Sequence, residues 1–248
     1  MQPVGEPGKN RRESLLVQCL HVSKRTGDGR VLFDDATVEI HRGDFVCLVG
    51  PSGSGKTTFF KLLLRLESPD GGQILFQGQN VQRMTTKELR HLRRRVGIVL
   101  QGGKLLPDRS VFENAALPLE AAGRDYLFVW NRVRQVLRLT GLERRMDAPA
   151  GQLTAAENQR LALARAIANE PLILLADEPT GMADEDSRCQ ILELLRRIHS
   201  RGVVVVLATN DPSLPAAFPG SRTASIDGGR FVEGSFTLRG GRRISAIW

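Results

Sequence analysis

The stretch Gly50-Pro51-Ser52-Gly53-Ser54-Gly55-Lys56-Thr57-Thr58 has the residue types and spacing to hold a polyphosphate, and it fits G-x-x-x-x-G-K-[ST] without a mismatch. Glycines let successive backbone N–H groups turn inward around an anion, and a helix starting behind them adds its positive end. Lys56 is suited to the β- and γ-oxygens and the Thr57 hydroxyl to Mg²⁺. Gly50, Ser52, Gly53, Ser54, Gly55, Lys56, Thr57 and Thr58 are therefore the first candidate binding residues. A Gly/Ser-rich turn that matches by chance is the competing explanation. It is disfavoured by the apolar run Phe45–Val49 before the loop and the helical pattern from Phe59 to Leu66 after it.

A polyphosphate loop needs a partner for the metal and the attacking water. The apolar run from Leu172 ends in Asp177, which would bring that carboxylate to the carboxyl edge of a sheet, beside the loop. Glu178 follows it and can polarise a water in line with a γ-phosphate, which makes it the candidate general base. Two acidic residues ending a strand without function is the plainer alternative.

The elements that must carry these groups alternate between strand and helix. Strand-like runs cover Leu15 to Ser23, Val31 to His41 and Gln73 to Phe76. Thr86 to Arg95 reads as a short basic helix, and Val96 to Leu100 as a strand that delivers Gln101 to a Gly-Gly turn. From Ser110 to about Asn169 the period is helical, which implies an inserted lobe of about residues 102–170. Strands return at 172–176 and 203–207 around a helix from Glu185 to Ser200, and a small hairpin pairs 223–226 with 230–232 about Asp227-Gly228-Gly229. The whole predicts an α/β fold: a P-loop NTPase (RecA-like) core with a mainly parallel sheet, an N-terminal antiparallel β subdomain and an inserted helical lobe. Residues 1–14 read as a disordered leader, 15–234 as the domain and 235–248 as a basic tail, either unstructured or touching lipid headgroups.

A length of 248 residues suits one such domain, and 41% hydrophobic with 25% charged residues is globular composition. The net charge of +8 admits nucleic acid or an anionic membrane as partner, but the arginines are scattered, as on a solvated face. Cys19, Cys47 and Cys189 lie far apart without metal-ligand spacing and read as buried thiols in a reducing compartment. No apolar run approaches the length of a membrane span, so a membrane role would require another subunit.

Gly50 to Thr58, Gln101 after its strand, and Leu175-Ala176-Asp177-Glu178-Pro179-Thr180-Gly181 followed by Asp184 resemble the nucleotide-binding subunits of ABC transporters. The segment from Leu105 to Glu120 is similar to the FtsE cell-division ATPase family. The resemblance spans about residues 15–233 and implies an ATPase using ATP and Mg²⁺, head-to-tail pairing with a second ATPase subunit, and an FtsX-like membrane partner. It implies metal contacts from Thr57, Gln101 and Asp177, with Gln101 linking the γ-phosphate to that partner and Asp184 near the nucleotide. It also implies a cytoplasmic location on the inner face of the cell membrane.

Three positions depart from the family. Leu153-Thr154-Ala155-Ala156-Glu157 stands where Leu-Ser-Gly-Gly-Glu or -Gln is usual. Thr154 keeps a hydroxyl for a partner subunit's phosphate and can form a capping box with Glu157, while Ala155 and Ala156 lose two glycines. Either the added Cβ atoms strain the loop and weaken phosphate capping, or both alanines are ordinary first-turn helix residues. Asn210 replaces a His that contacts the γ-phosphate, and it cannot carry charge or relay a proton, so turnover should be slow. Thr26 replaces a Tyr that stacks on adenine, which should lower affinity unless Arg25 or Arg30 stacks instead.

The leading expectation is an FtsE-like ATPase coupled to a membrane partner. A related lipoprotein- or macrolide-type ABC exporter ATPase and a non-hydrolysing nucleotide switch are the alternatives. Nucleic acid is disfavoured as a partner, because the chain has neither a coiled-coil insertion nor a second cassette.

Overall fold

The computed structural model describes residues 14–102, 104–181, 184–227 and 230–233. The expected leader, apart from Ser14, and the basic tail lie outside the described residues, as do Gly103 and the Gly228-Gly229 turn.

The chain opens with two long strands, β1 (Leu15–Arg25) and β2 (Val31–His41), paired antiparallel. After β3 (Phe45–Val49) and helix α1 (Lys56–Leu63) come β4 (Gly71–Phe76) and the short β5 (Gln79–Asn80). Strands β2-β1-β4-β5 form one antiparallel sheet in that order. Helix α2 (Thr86–Arg94) follows, capped by a reciprocal Thr85–Glu88 box, and then β6 (Val96–Val99). The helical lobe consists of α3 (Val111–Glu120), α4 (Tyr126–Leu139) and α5 (Ala155–Ile167). The chain returns through β7 (Ile173–Asp177), α6 (Glu185–His199), β8 (Val204–Thr209), β9 (Arg222–Asp227) and β10 (Arg230–Glu233).

The second sheet has the order β10-β9-β3-β8-β7-β6, with parallel pairing from β9 through β6 and β10 antiparallel at the edge. Its central strands are buried on both faces, which is why their sequences are continuous β-branched and aliphatic runs. Alternate residues serve two different cores. Val46, Leu48, Ile173, Leu175, Val204 and Val206 pack with α1 and the antiparallel sheet. Cys47, Leu174, Ala176, Val205 and Leu207 pack with the helical lobe and α6. One rigid sheet thus carries both the loop helix and the lobe.

Two details differ from the sequence expectation and one adds to it. The first helix starts at Lys56, three residues early, because Gly55 takes a left-handed conformation (φ 110°) and turns the chain directly from loop to helix. The expected hairpin forms, with β9 antiparallel to β10, and what the sequence did not show is that β9 also pairs parallel with β3 and so extends the central sheet. Cys189 is exposed on α6, not buried, whereas Cys19 and Cys47 are buried as expected. Burial pushes the Cys19 thiol up to about 12 and, against its hydrogen bond with Ser221, the Cys47 thiol up to about 11.

Candidate functional site

The site is built at the carboxyl edge of the parallel sheet, where β3 ends in the Gly50–Gly55 loop, β7 ends in Asp177 and β8 ends in Thr209. The Gly50 amide donates to the Thr209 carbonyl (3.1 Å), which fastens the loop to the neighbouring strand. Gly50 has no room for a side chain: a Cβ there would stand 2.7 Å from Ser54 Oγ and 2.9 Å from the Ile226 carbonyl. Gly53 has φ 77°, and Ser54 Oγ is buried without a hydrogen-bond partner. Ser52, Gly53 and Thr57 are exposed and Thr58 is half-buried, so the loop and the first turn of α1 face open space.

Lys56 is buried beneath the loop, where its ammonium donates to the carbonyls of Gly50 (2.6 Å) and Pro51 (3.0 Å). Its Nζ also lies 3.9 Å from Glu178 Oε1. Thr57 Oγ1 donates to Asp177 Oδ2 at 2.5 Å, joining the start of α1 to the end of β7. Asp177 is itself buried. A hydroxyl and one carboxylate are the hard oxygen donors that suit Mg²⁺, an ion held by few protein ligands together with substrate phosphate and water.

Glu178 has a positive φ of 47°, and its amide donates to the Ala208 carbonyl (2.9 Å). The Thr209 hydroxyl (3.4 Å) and the Asn210 backbone amide both donate to that carboxylate. Burial raises the Glu178 pKa above the ordinary carboxylate value, opposed by Lys56 and these two donors. Burial likewise lowers the Lys56 pKa against the pull of Glu178 and Asp177. Both shifts favour the uncharged forms, so desolvation outweighs the attraction between the two groups at 3.9 Å. A carboxylate of raised basicity beside an ammonium and a metal-suited pair is competent to accept a proton from water.

Sequence reasoning did not single out Thr209. Its signal was present, because it ends β8 immediately before Asn210 and β8 is the parallel neighbour of β7. The Asn210 side chain is exposed; the contact to Glu178 comes from its backbone. Arg188 fixes the following residue, Asp211, through an ion pair of 2.6 Å.

Gln101 and Gly102 line a cavity of about 160 Å³ with Ala155, Ala156, Asn158, Gln159, Glu178 and Pro179. The structure therefore brings Gln101, Ala156 and Glu178 to one cavity within a single chain. Thr154 caps α5: its hydroxyl accepts from the Glu157 amide (3.2 Å), and the Glu157 carboxylate accepts from the Thr154 amide (2.9 Å). Ala155 and Ala156 are the first residues of that helix and neither has a positive φ. Both are therefore first-turn helix residues without backbone strain. Asp184 caps α6 by accepting from the Ser187 amide (2.8 Å) and stands apart from the loop contacts described above.

Thr26 lies in the β1–β2 turn, where its hydroxyl is engaged by Asp28 and the Arg30 carbonyl. Arg25 donates to the Gly29 carbonyl. The exposed Arg30 guanidinium places Nη1 3.5 Å from where a Cβ on Gly53 would stand. The loop thus has two ends: Asp177 and Glu178 mark one, and the β1–β2 turn with Arg30 marks the other.

A parallel sheet covered on both faces, with a phosphate loop, a carboxylate pair on an adjoining strand and an inserted helical lobe, defines an ATP-binding cassette. The profile of the ABC transporter family matches residues 33–181, more than half of the chain, which therefore belongs to that family as an ATP-binding domain. The chain is similar to the cell division ATP-binding protein FtsE of Bacillus subtilis (strain 168), 39% identical over 199 residues, covering 80% of this chain and 87% of that one. It is also similar to FtsE of Escherichia coli (strain K12), at 38% over 199 residues, with 80% and 90% covered. Among solved structures, the ATP-binding cassette MJ0796 in a dimeric post-hydrolysis state with ADP and Pi superposes with TM-score 0.78. That likeness is 29% identical and covers 92% of this chain and 100% of that one. CbiO1 from Clostridium perfringens, part of the ABC transporter complex cbiONQ, gives TM-score 0.80 at 25% identity, with 89% and 88% covered. No helix among the described residues is long and apolar enough to cross a membrane.

Proposed function

We propose that the chain is an FtsE-like ATPase subunit that binds Mg-ATP, pairs head to tail with a second ATPase subunit, and passes that closure to an FtsX-like membrane subunit at the inner face of the cell membrane. The observation that carries this is the convergence of Lys56, Thr57, Asp177 and Glu178 at one sheet edge, through the 2.5 Å Thr57–Asp177 bond and the 3.9 Å Lys56–Glu178 approach. The names of the relatives at 38–39% identity support the cell-division setting.

The residues take the following roles. Backbone amides of Gly53 to Thr58 surround the phosphates, and Lys56 leaves the Gly50 and Pro51 carbonyls to meet them. Thr57 and Asp177, with Gln101, would hold Mg²⁺, which when bound neutralises charge on the β- and γ-phosphates. Glu178 takes the proton of the attacking water. Asn210 offers only a neutral amide, so turnover is slow. Thr154, Ala156 and Asp184 face the nucleotide of the second subunit, and closure of that interface moves the helical lobe through Gln101.

Steady-state phosphate release tests the proposal. Glu178→Gln should lower turnover by about 10²-fold or more with Mg-ATP binding retained. Unchanged turnover removes Glu178 as the base. A non-hydrolysing switch is the second reading, favoured by Asn210, and robust turnover that Asn210→His does not increase eliminates it.

A further inference from the structure

Tyr126, Leu127 and Phe128 begin α4 and are 74%, 67% and 40% exposed, although an apolar side chain gains by burial. They do not belong to the nucleotide site. Their rings and neighbours form a small aromatic group: Tyr126 stacks on Trp130 at 6.4 Å, Trp130 meets Phe112 at 5.2 Å, and the Arg124 guanidinium lies 4.9 Å from the Phe128 ring centre. A basic helix face adjoins it. Lys87, Arg90, His91 and Arg94 line one shallow groove along α2, and all four are exposed. Arg94 reaches across to donate to the Ala121 carbonyl (3.3 Å), at the turn that leads to Arg124 and Tyr126. Among the described residues Lys87, Arg90 and His91 make no side-chain hydrogen bond or ion pair. Glu120 and Asp125 are the acidic groups on the adjoining turn, and Asp125 is engaged in capping α4.

We infer that this face, the first turn of α4 together with the basic row of α2, rests on an anionic lipid bilayer. Three consecutive helical residues project about 100° apart, so Tyr126, Leu127 and Phe128 fan out and share no single packing plane. A rigid protein groove suits a stripe at helical spacing, whereas a fluid interface accepts a fan of aromatic and aliphatic side chains. The unpaired Lys87 and Arg90 carry their charge on long stems that can reach headgroup phosphates while the apolar tip enters the interface. Apolar insertion plus basic attraction are the two contributions that reversible interfacial binding needs. The inference is independent of the ATPase reading, because none of these residues touches the phosphate loop.

The test uses the full chain with Trp248→Phe, so that Trp130 alone reports, and vesicles of phosphatidylcholine with or without about 30% phosphatidylglycerol. At low salt the protein should sediment with the anionic vesicles and not with the neutral ones. Its Trp130 emission should shift to the blue, and raised salt should release it. Tyr126→Ser with Leu127→Ser should weaken this binding at least about tenfold. Lys87→Glu with Arg90→Glu should do the same, with circular dichroism and melting unchanged in both variants. No sedimentation with anionic vesicles, or sedimentation of both double variants equal to that of the parent protein, overturns the inference. So does lipid-free self-association lost on Tyr126→Ser with Leu127→Ser, which would make the face a contact between copies of this chain.

Discussion

Gly97 sits in β6, where the sheet meets α5, and the approach is close enough to be tested by one methyl group. A Cβ on Gly97 would stand 2.5 Å from the Ala166 carbonyl oxygen and 3.2 Å from both the Ala166 carbonyl carbon and Pro171 Cγ. Ordinary contact begins at 3.4 Å, and the nearest obstacle is helix backbone, so in Gly97→Ala α5 has to retreat by about 1 Å from the sheet. Overpacking of this kind costs about 1–3 kcal/mol, and reduced freedom of the unfolded chain returns about 0.4–1 kcal/mol. A net loss of about 1–2 kcal/mol lowers Tm by about 3–6 °C for a chain of this size. Gly27→Ala is the control: nothing lies within 4 Å of its Cβ and its φ is not positive, so Tm should hold or rise slightly. Scanning calorimetry of both variants decides it. A Gly97→Ala protein that melts with the wild type would refute the close helix–sheet packing that positions Thr154 and Gln101.

The remaining predictions concern the site. Burial raises the Glu178 pKa, so the base is protonated, and turnover lost, as pH falls through a value above the ordinary 4.5. Thr209→Val removes a donor to that carboxylate and should move the acid limb of the pH–rate profile higher still; an unmoved limb contradicts the assignment. Asn210→His should raise kcat by about tenfold or more by restoring a chargeable contact, with ATP affinity little changed. Arg30→Ala should weaken Mg-ATP binding about tenfold and inorganic tripolyphosphate binding not at all, as expected for a guanidinium that meets the base end of the nucleotide. Equal losses for both ligands would place Arg30 on the phosphates instead.

Much of this was legible in the chain because the signals were local. The loop from Gly50 to Thr57 needs its glycines for φ and close approach, and the β-branched run before Thr209 can only be a strand buried on both faces. The box of Thr154 and Glu157 set the start of α5 from two residues alone. What was not legible depends on contacts distant in sequence. Thr209 reaches Glu178 only because β7 and β8 are parallel neighbours, and the hairpin at Arg222 joins the main sheet only through β3. The exposure of Cys189 follows from which face of α6 turns outward, and one residue in an amphipathic pattern does not determine that. The fate of Ala155 and Ala156 stayed open in the sequence because it turns on φ, which the residue type alone does not fix.

The central claim is that the Gly50–Thr58 loop and Lys56 grip a nucleotide triphosphate. Isothermal titration of the full chain with ATP in the presence of Mg²⁺, beside the Lys56→Ala protein, tests it most directly. Saturable binding by the wild type, weakened at least about a hundredfold without the ammonium, is the predicted result. Absence of binding to the folded wild type, or equal binding by Lys56→Ala, would contradict it.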